Sequence, residues 1–138
     1  MKKILLSGLA VLLLLGVCVL AVRATRLAPE TETVIVKYQV KQGQEAEFKK
    51  SLGKLWPTLR RLNLVLAEPH MILRGEDDAH NVYFVEILTW VDAEAPDHLP
   101  DEVHAISREM FPHLEARGGR PGFDVQEVRI VSDADLKH

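Results

Sequence analysis

The sequence predicts one α+β domain in the order β-α-β-β-α-β, preceded by a hydrophobic N-terminal helix. Three observations carry that prediction. Residues 32–41 alternate apolar and polar side chains. Residues 82–91 form a run of apolar, β-branched and aromatic residues interrupted only by Glu86. Two further stretches repeat their apolar residues at helical spacing.

The first strand reads from Glu32 to Lys41, with Val34, Val36, Tyr38 and Val40 on one side and Lys37, Gln39 and Lys41 on the other. Gln42-Gly43-Gln44 turns the chain into the first helix. Its stripe is Phe48, Leu52, Leu55, Leu59 and Leu62. Glu45 and Glu47 in the first turn and Arg60 and Arg61 in the last suit the helix dipole. Pro57 predicts a kink near Leu55-Trp56, because its ring crowds the Gly53 carbonyl and its nitrogen has no hydrogen to donate.

Pro69 to Arg74 is a short second strand, and the polar loop Gly75–His80 makes a hairpin with the third strand, Val82 to Val91. Asp92–Pro100 is a loop. The second helix is expected from Asp101 to Arg117 on the stripe Val103, Ile106, Met110 and Leu114, interrupted at Pro112 and stopped by Gly118-Gly119. Phe123 to Val131 is the last strand. Trp56-Pro57-Thr58-Leu59 and Phe111-Pro112-His113-Leu114 form the one local echo between the two halves.

This order is the ferredoxin-like, split βαβ pattern, with the third strand central between the first and second. Its helices cover one sheet face. The third strand, however, is apolar on both sides: Val82, Phe84, Leu88 and Trp90 on one, Tyr83, Val85, Ile87 and Val91 on the other. A second copy of the sheet is the simplest cover for the free face, so a homodimer packed sheet to sheet is expected.

The chain divides into a leader at 1–24, a linker at 25–32, the α+β domain at 33–131 and a polar tail at 132–138. Met1-Lys2-Lys3 is followed by an uncharged run from Ile4 to Val22, closed by Arg23 and Arg26. That length suits an uncleaved membrane anchor; Val22-Arg23-Ala24 also permits a cleaved signal peptide, and Cys18 leaves a lipid-modified cysteine open. Each reading puts the domain outside the cytoplasm, secreted or held at the membrane through residues 4–22. Cys18 is the only cysteine, so the domain has no internal disulfide. Of 17 basic residues three lie in the leader, leaving 14 against 20 acidic, or −6 for the remainder. An acidic domain argues against nucleic acid as a partner.

These segments resemble the antibiotic biosynthesis monooxygenase domains of the dimeric α+β barrel superfamily. The likeness is carried by Val34-Ile35-Val36-Lys37-Tyr38-Gln39-Val40-Lys41-Gln42-Gly43-Gln44, by Glu47-Phe48, by Val85-Glu86-Ile87-Leu88-Thr89-Trp90-Val91-Asp92, and by Glu102-Val103-His104 in the second helix. It spans about Thr33 to Val131. The resemblance implies a dimer with a pocket between each sheet and its helices. Some members of the family oxidise aromatic substrates with dioxygen without metal or flavin, relatives degrade haem, and many have no known activity. The haem-degrading branch's Asn on the first strand and Trp on the second helix have no counterpart here. No cofactor is expected.

Glu86 is the most informative candidate residue, a carboxylate mid-strand on the face of Phe84 and Leu88. As a general base it would take a phenolic or activated carbon proton; as a structural group it would be an ion pair with Arg74 or Lys37, or a hydrogen-bond anchor. His104 is a second acid–base candidate on the second helix. Tyr38, His70, Arg74 and Trp90 are candidate ligand contacts, each with ordinary packing or a solvated role as the alternative. No metal is expected, since His98, His104 and His113 lack the short spacing of zinc ligands. The functions that remain are a binding module for a small apolar or aromatic ligand and a cofactor-independent monooxygenase.

Overall fold

The computed structural model describes residues 29–137. The predicted leader helix, the cleavage and lipidation alternatives and the first half of the linker lie outside those residues. Among the described residues no helix is long and apolar enough to cross a membrane.

The elements follow the expected order: β1 (Glu32–Gln39), α1 (Glu45–Arg61), β2 (Met71–Glu76), β3 (Val82–Trp90), α2 (Asp101–Met110) and β4 (Phe123–Val128). Short 3₁₀ turns precede and follow α2, at Ala95–His98 and Phe111–His113. The sheet is antiparallel in the order β2-β3-β1-β4, so β3 lies between β2 and β1 as the split βαβ pattern requires.

Period-two alternation decides which side chains meet the helices. On β1, Val34, Val36 and Tyr38 are buried; on β3, Phe84, Glu86, Leu88 and Trp90 are. Phe48, Leu52 and Leu59 of α1 and Val103, Ile106 and Met110 of α2 close over them. Each such side chain contributes about 1.5–3 kcal/mol on burial.

The helix α1 runs on through Pro57 to Arg61. Pro57 and Gly53 are both exposed, so the carbonyl left without its amide partner faces water. Asn63 then takes a left-handed conformation (φ 54°), and Leu64 donates back to the Leu59 carbonyl at 3.0 Å, a helix-ending turn.

The second helix differs from expectation. It ends at Met110, not Arg117. Pro112 has no amide hydrogen for a further turn, and the chain beyond it is taken up by the end of β1. Lys41 donates its amide to the His113 carbonyl at 2.8 Å, and Glu115 donates to Gln39 at 3.0 Å. Leu114 therefore bridges to Val40 and is buried there, not on a helix stripe. The two Pro motifs thus share a sequence but not a conformation. The second and fourth strands are also displaced or shortened, to Met71–Glu76 and Phe123–Val128.

The sheet face away from the helices carries Ile35 of β1, Val85 and Ile87 of β3, and Met71 and Leu73 of β2, which pair directly with Ile87 and Val85. Met71 and Leu73 are about half exposed, at 50% and 49%.

Candidate functional site

Between the sheet and α2 lies a cavity of about 580 Å³. It arises because the helices do not reach across β4. Phe123, Val125 and Glu127 share the sheet face of Tyr38, Val36 and Val34, their partners in register, yet all three are exposed. Val34, Val36 and Tyr38 form the floor, Leu88 and Trp90 one flank, and Leu55, Leu59, Leu99 and Met110 the roof. A volume of this size accepts a small organic molecule.

Aromatic rings run from the core to the cavity edge. Phe84 and Phe48 lie 5.3 Å apart, Phe48 and Tyr38 5.2 Å, Tyr38 and Phe123 5.7 Å, and Phe123 and Phe111 5.3 Å, all tilted. These are the separations that aromatic pairs favour.

Tyr38 also joins the cavity to a second feature. Its hydroxyl donates to Glu86 Oε2 at 2.8 Å. The other carboxylate oxygen, Oε1, meets His70 Nε2 at 3.1 Å. The His70 ring stacks on Trp56 at 3.5 Å between centroids and parallel to it. Glu86 is wholly buried, whereas the His70 side chain keeps 19% of its surface exposed. Burial pushes the Tyr38 hydroxyl well above its ordinary pKa, and the charge and hydrogen bond of Glu86 push it the same way.

Of the six residues singled out in the sequence, Tyr38, Trp90 and His104 line the cavity. Glu86 and His70 form the buried pair behind Tyr38 and do not line it. Arg74 stands apart. Its guanidinium forks onto Glu45 at 2.8 and 3.0 Å and reaches Glu76 at 2.9 Å, tying the first turn of α1 to the edge strand. The partners foreseen for Glu86 are thus replaced. Arg74 is held by other acids, and Lys37 lies on the opposite sheet face, 4.4 Å over the Tyr83 ring.

Sequence reasoning missed Phe111, Phe123, Val125, Asp97, Glu32 and Glu127 as cavity residues. The alternation of β4 was the available signal, since it puts Phe123, Val125 and Glu127 on the face of Tyr38. Among the described residues no group of three His, Cys, Asp or Glu side chains could hold a metal ion.

No protein-family model and no curated protein matches the chain. Several solved structures do. A candidate antibiotic biosynthesis monooxygenase from Caulobacter crescentus superposes with a TM-score of 0.58 at 18% identity, over 76% of this chain and 93% of that one. SnoaB, a cofactor-independent oxygenase from Streptomyces nogalater, gives 0.55 at 17% identity, over 75% and 95%. A conserved protein from Methanosarcina mazei gives 0.54 at 15% identity, over 72% and 91%. The chain therefore has the fold of the antibiotic biosynthesis monooxygenase domains, the family its strands resemble.

Proposed function

We propose that this chain is an exported or membrane-anchored homodimeric domain that binds a small apolar or aromatic ligand in the cavity between its sheet and its helices. The observation that carries the reading is the cavity itself, about 580 Å³, with aromatic rings in its wall and apolar side chains on its floor and roof. The membrane part rests on the uncharged run at residues 4–22. The dimer rests on the half-exposed apolar sheet face around Met71 and Leu73, which a second copy would cover. The test is calorimetric titration with a panel of hydroxylated aromatics and quinols, comparing the native chain with Val125→Trp, which narrows the cavity from an exposed edge position. Binding that is abolished or strongly weakened by Val125→Trp supports the reading; binding untouched by it moves the ligand elsewhere.

A second reading is a cofactor-independent monooxygenase acting on an aromatic or quinol-like substrate. It is favoured by one observation: Tyr38, on the floor of the cavity, is hydrogen-bonded to the buried carboxylate of Glu86. In that reading a base, Glu86 acting through Tyr38 or His104 acting directly, removes a substrate proton. The anion adds to dioxygen through carbon to give a peroxide. The second hydrogen on that carbon is lost as the O–O bond breaks, leaving a carbonyl on the product and expelling hydroxide. The hydroxide takes up the proton first removed and leaves as water, the substrate itself supplying the electrons. Oxygen uptake by the native chain and by Glu86→Gln and His104→Ala tests it. Rates unchanged in both variants would remove both residues from the mechanism, and no uptake with any substrate leaves the binding module.

A further inference from the structure

The polar groups of the cavity lining are unevenly distributed. The buried floor and roof are apolar, apart from the Tyr38 hydroxyl, which is turned to Glu86, and Ser107, whose hydroxyl donates to the Val103 carbonyl at 3.1 Å. The remaining polar side chains stand where the lining meets solvent: Glu32, Asp97, Glu127 and His104. Three of the four are carboxylic acids, and among the described residues the lining includes neither Lys nor Arg. Glu32 and Glu127 also border the open groove beside the cavity, so they stand at its mouth.

We infer that the cavity selects its ligand by charge, the rim carboxylates of Glu32, Asp97 and Glu127 turning away anionic amphiphiles and admitting uncharged or cationic ones with the same apolar body. This deepens the ligand-binding reading and rests on it. The cavity is the site; the carboxylates filter what its apolar walls would otherwise hold indiscriminately. Apolar contact is blind to charge, because it follows the area removed from water. A head group left at the mouth, by contrast, stands within a Debye length of the rim acids, about 8–10 Å at ordinary salt. The acids already act on one another. Desolvation first, and then the negative charges of Glu127 and Asp97, raise the Glu32 carboxyl above its ordinary value.

Among the described residues, His104 is the one lining side chain able to carry a positive charge. Arg129 borders the adjoining groove and is turned to Asp135 at 3.9 Å, and Glu30 adds a further acid on that side. Among the described residues that border the cavity and the groove, the acids Glu30, Glu32, Asp97 and Glu127 outnumber the bases His104 and Arg129.

The test uses three probes that share a naphthalene body: 2-naphthol, 2-naphthoate and 2-naphthylmethylammonium. They are titrated calorimetrically at pH 8 into the full chain held in phosphatidylcholine nanodiscs, with empty nanodiscs as the blank. The neutral and cationic probes should bind at least about tenfold more tightly than the carboxylate. The gap should close in 1 M salt, where the Debye length falls to about 3 Å, and in the Glu32→Gln/Glu127→Gln double variant, whose substitutions keep size at solvent-facing positions. Equal affinity for all three probes, lost alike in Val125→Trp, would overturn charge selection and leave the cavity standing as a binding site. A gap that survives both salt and the double variant would overturn the role of these acids. Absence of binding by every probe would overturn the ligand-binding reading and the selection with it.

Discussion

The Tyr38 hydroxyl and the Glu86 carboxylate, 48 residues apart in sequence, meet at 2.8 Å, with both side chains buried. A buried carboxylate is strongly destabilising unless its oxygens are hydrogen-bonded, and here one oxygen is met by Tyr38 and the other by His70. The pair sits in the middle of the sheet, so its integrity should register in global stability.

Glu86→Ala should destabilise the domain by about 3–5 kcal/mol, since it opens a cavity and strands the Tyr38 hydroxyl. Glu86→Gln keeps an acceptor for Tyr38 and should cost only about 1–2 kcal/mol. Urea unfolding of both variants checks the order. Equal losses would mean that the bonds special to the carboxylate, and not its volume or the acceptor that Gln keeps, carry the stability.

The raised pKa of Tyr38 predicts an alkaline instability with a definite sign. Below about pH 10 the phenol is protonated in both folded and unfolded chains, and its contribution is fully present. As pH rises past that value the unfolded chain releases the proton and the folded chain does not, so stability falls with pH. Tyr38→Phe should be less stable at pH 7 yet lose less stability between pH 9 and pH 11. Denaturant midpoints across that window test this, and parallel slopes for the two proteins would count against it.

Gly122 is a position where a methyl group has no room. A Cβ there would lie 2.8–2.9 Å from backbone atoms of Glu115, which is itself fixed by its bond to Gln39. At Gly75 a Cβ would meet only the far end of the Tyr83 ring, which can swing aside. Gly122→Ala should therefore cost about 1–3 kcal/mol and Gly75→Ala less. Thermal unfolding of the two variants would reveal a reversed order if the Glu115 segment yields more easily than the Tyr83 ring.

The outer sheet face offers a test of the proposed dimer. Leu73 is half exposed and paired with Val85 within the apolar patch. Leu73→Asp would place a charge in a sheet-to-sheet interface while remaining solvated in a monomer. In sedimentation of a chain beginning at Pro29, the native protein should run as a dimer and the variant as a monomer. A monomeric native protein would overturn the dimer.

Much of this molecule was legible residue by residue. The alternation of residues 32–41 and the apolar run of 82–91 determined the strands, the faces they bury and the order of elements, because period-two and helical spacing are local properties. They also put Glu86, Tyr38 and Trp90 on the helix-facing side. Local pattern could not decide the partners of Glu86. Those depend on cross-strand register and on where His70 enters the sheet edge, and register set Lys37 on the far face while Glu45 and Glu76 held Arg74. Nor could it decide the end of α2, where pairing with residues 39–41 outweighed a helical stripe continued to Leu114. The cavity is likewise tertiary: it exists because two helices leave the inner face of β4 uncovered, an absence of packing that no stretch of sequence encodes by itself.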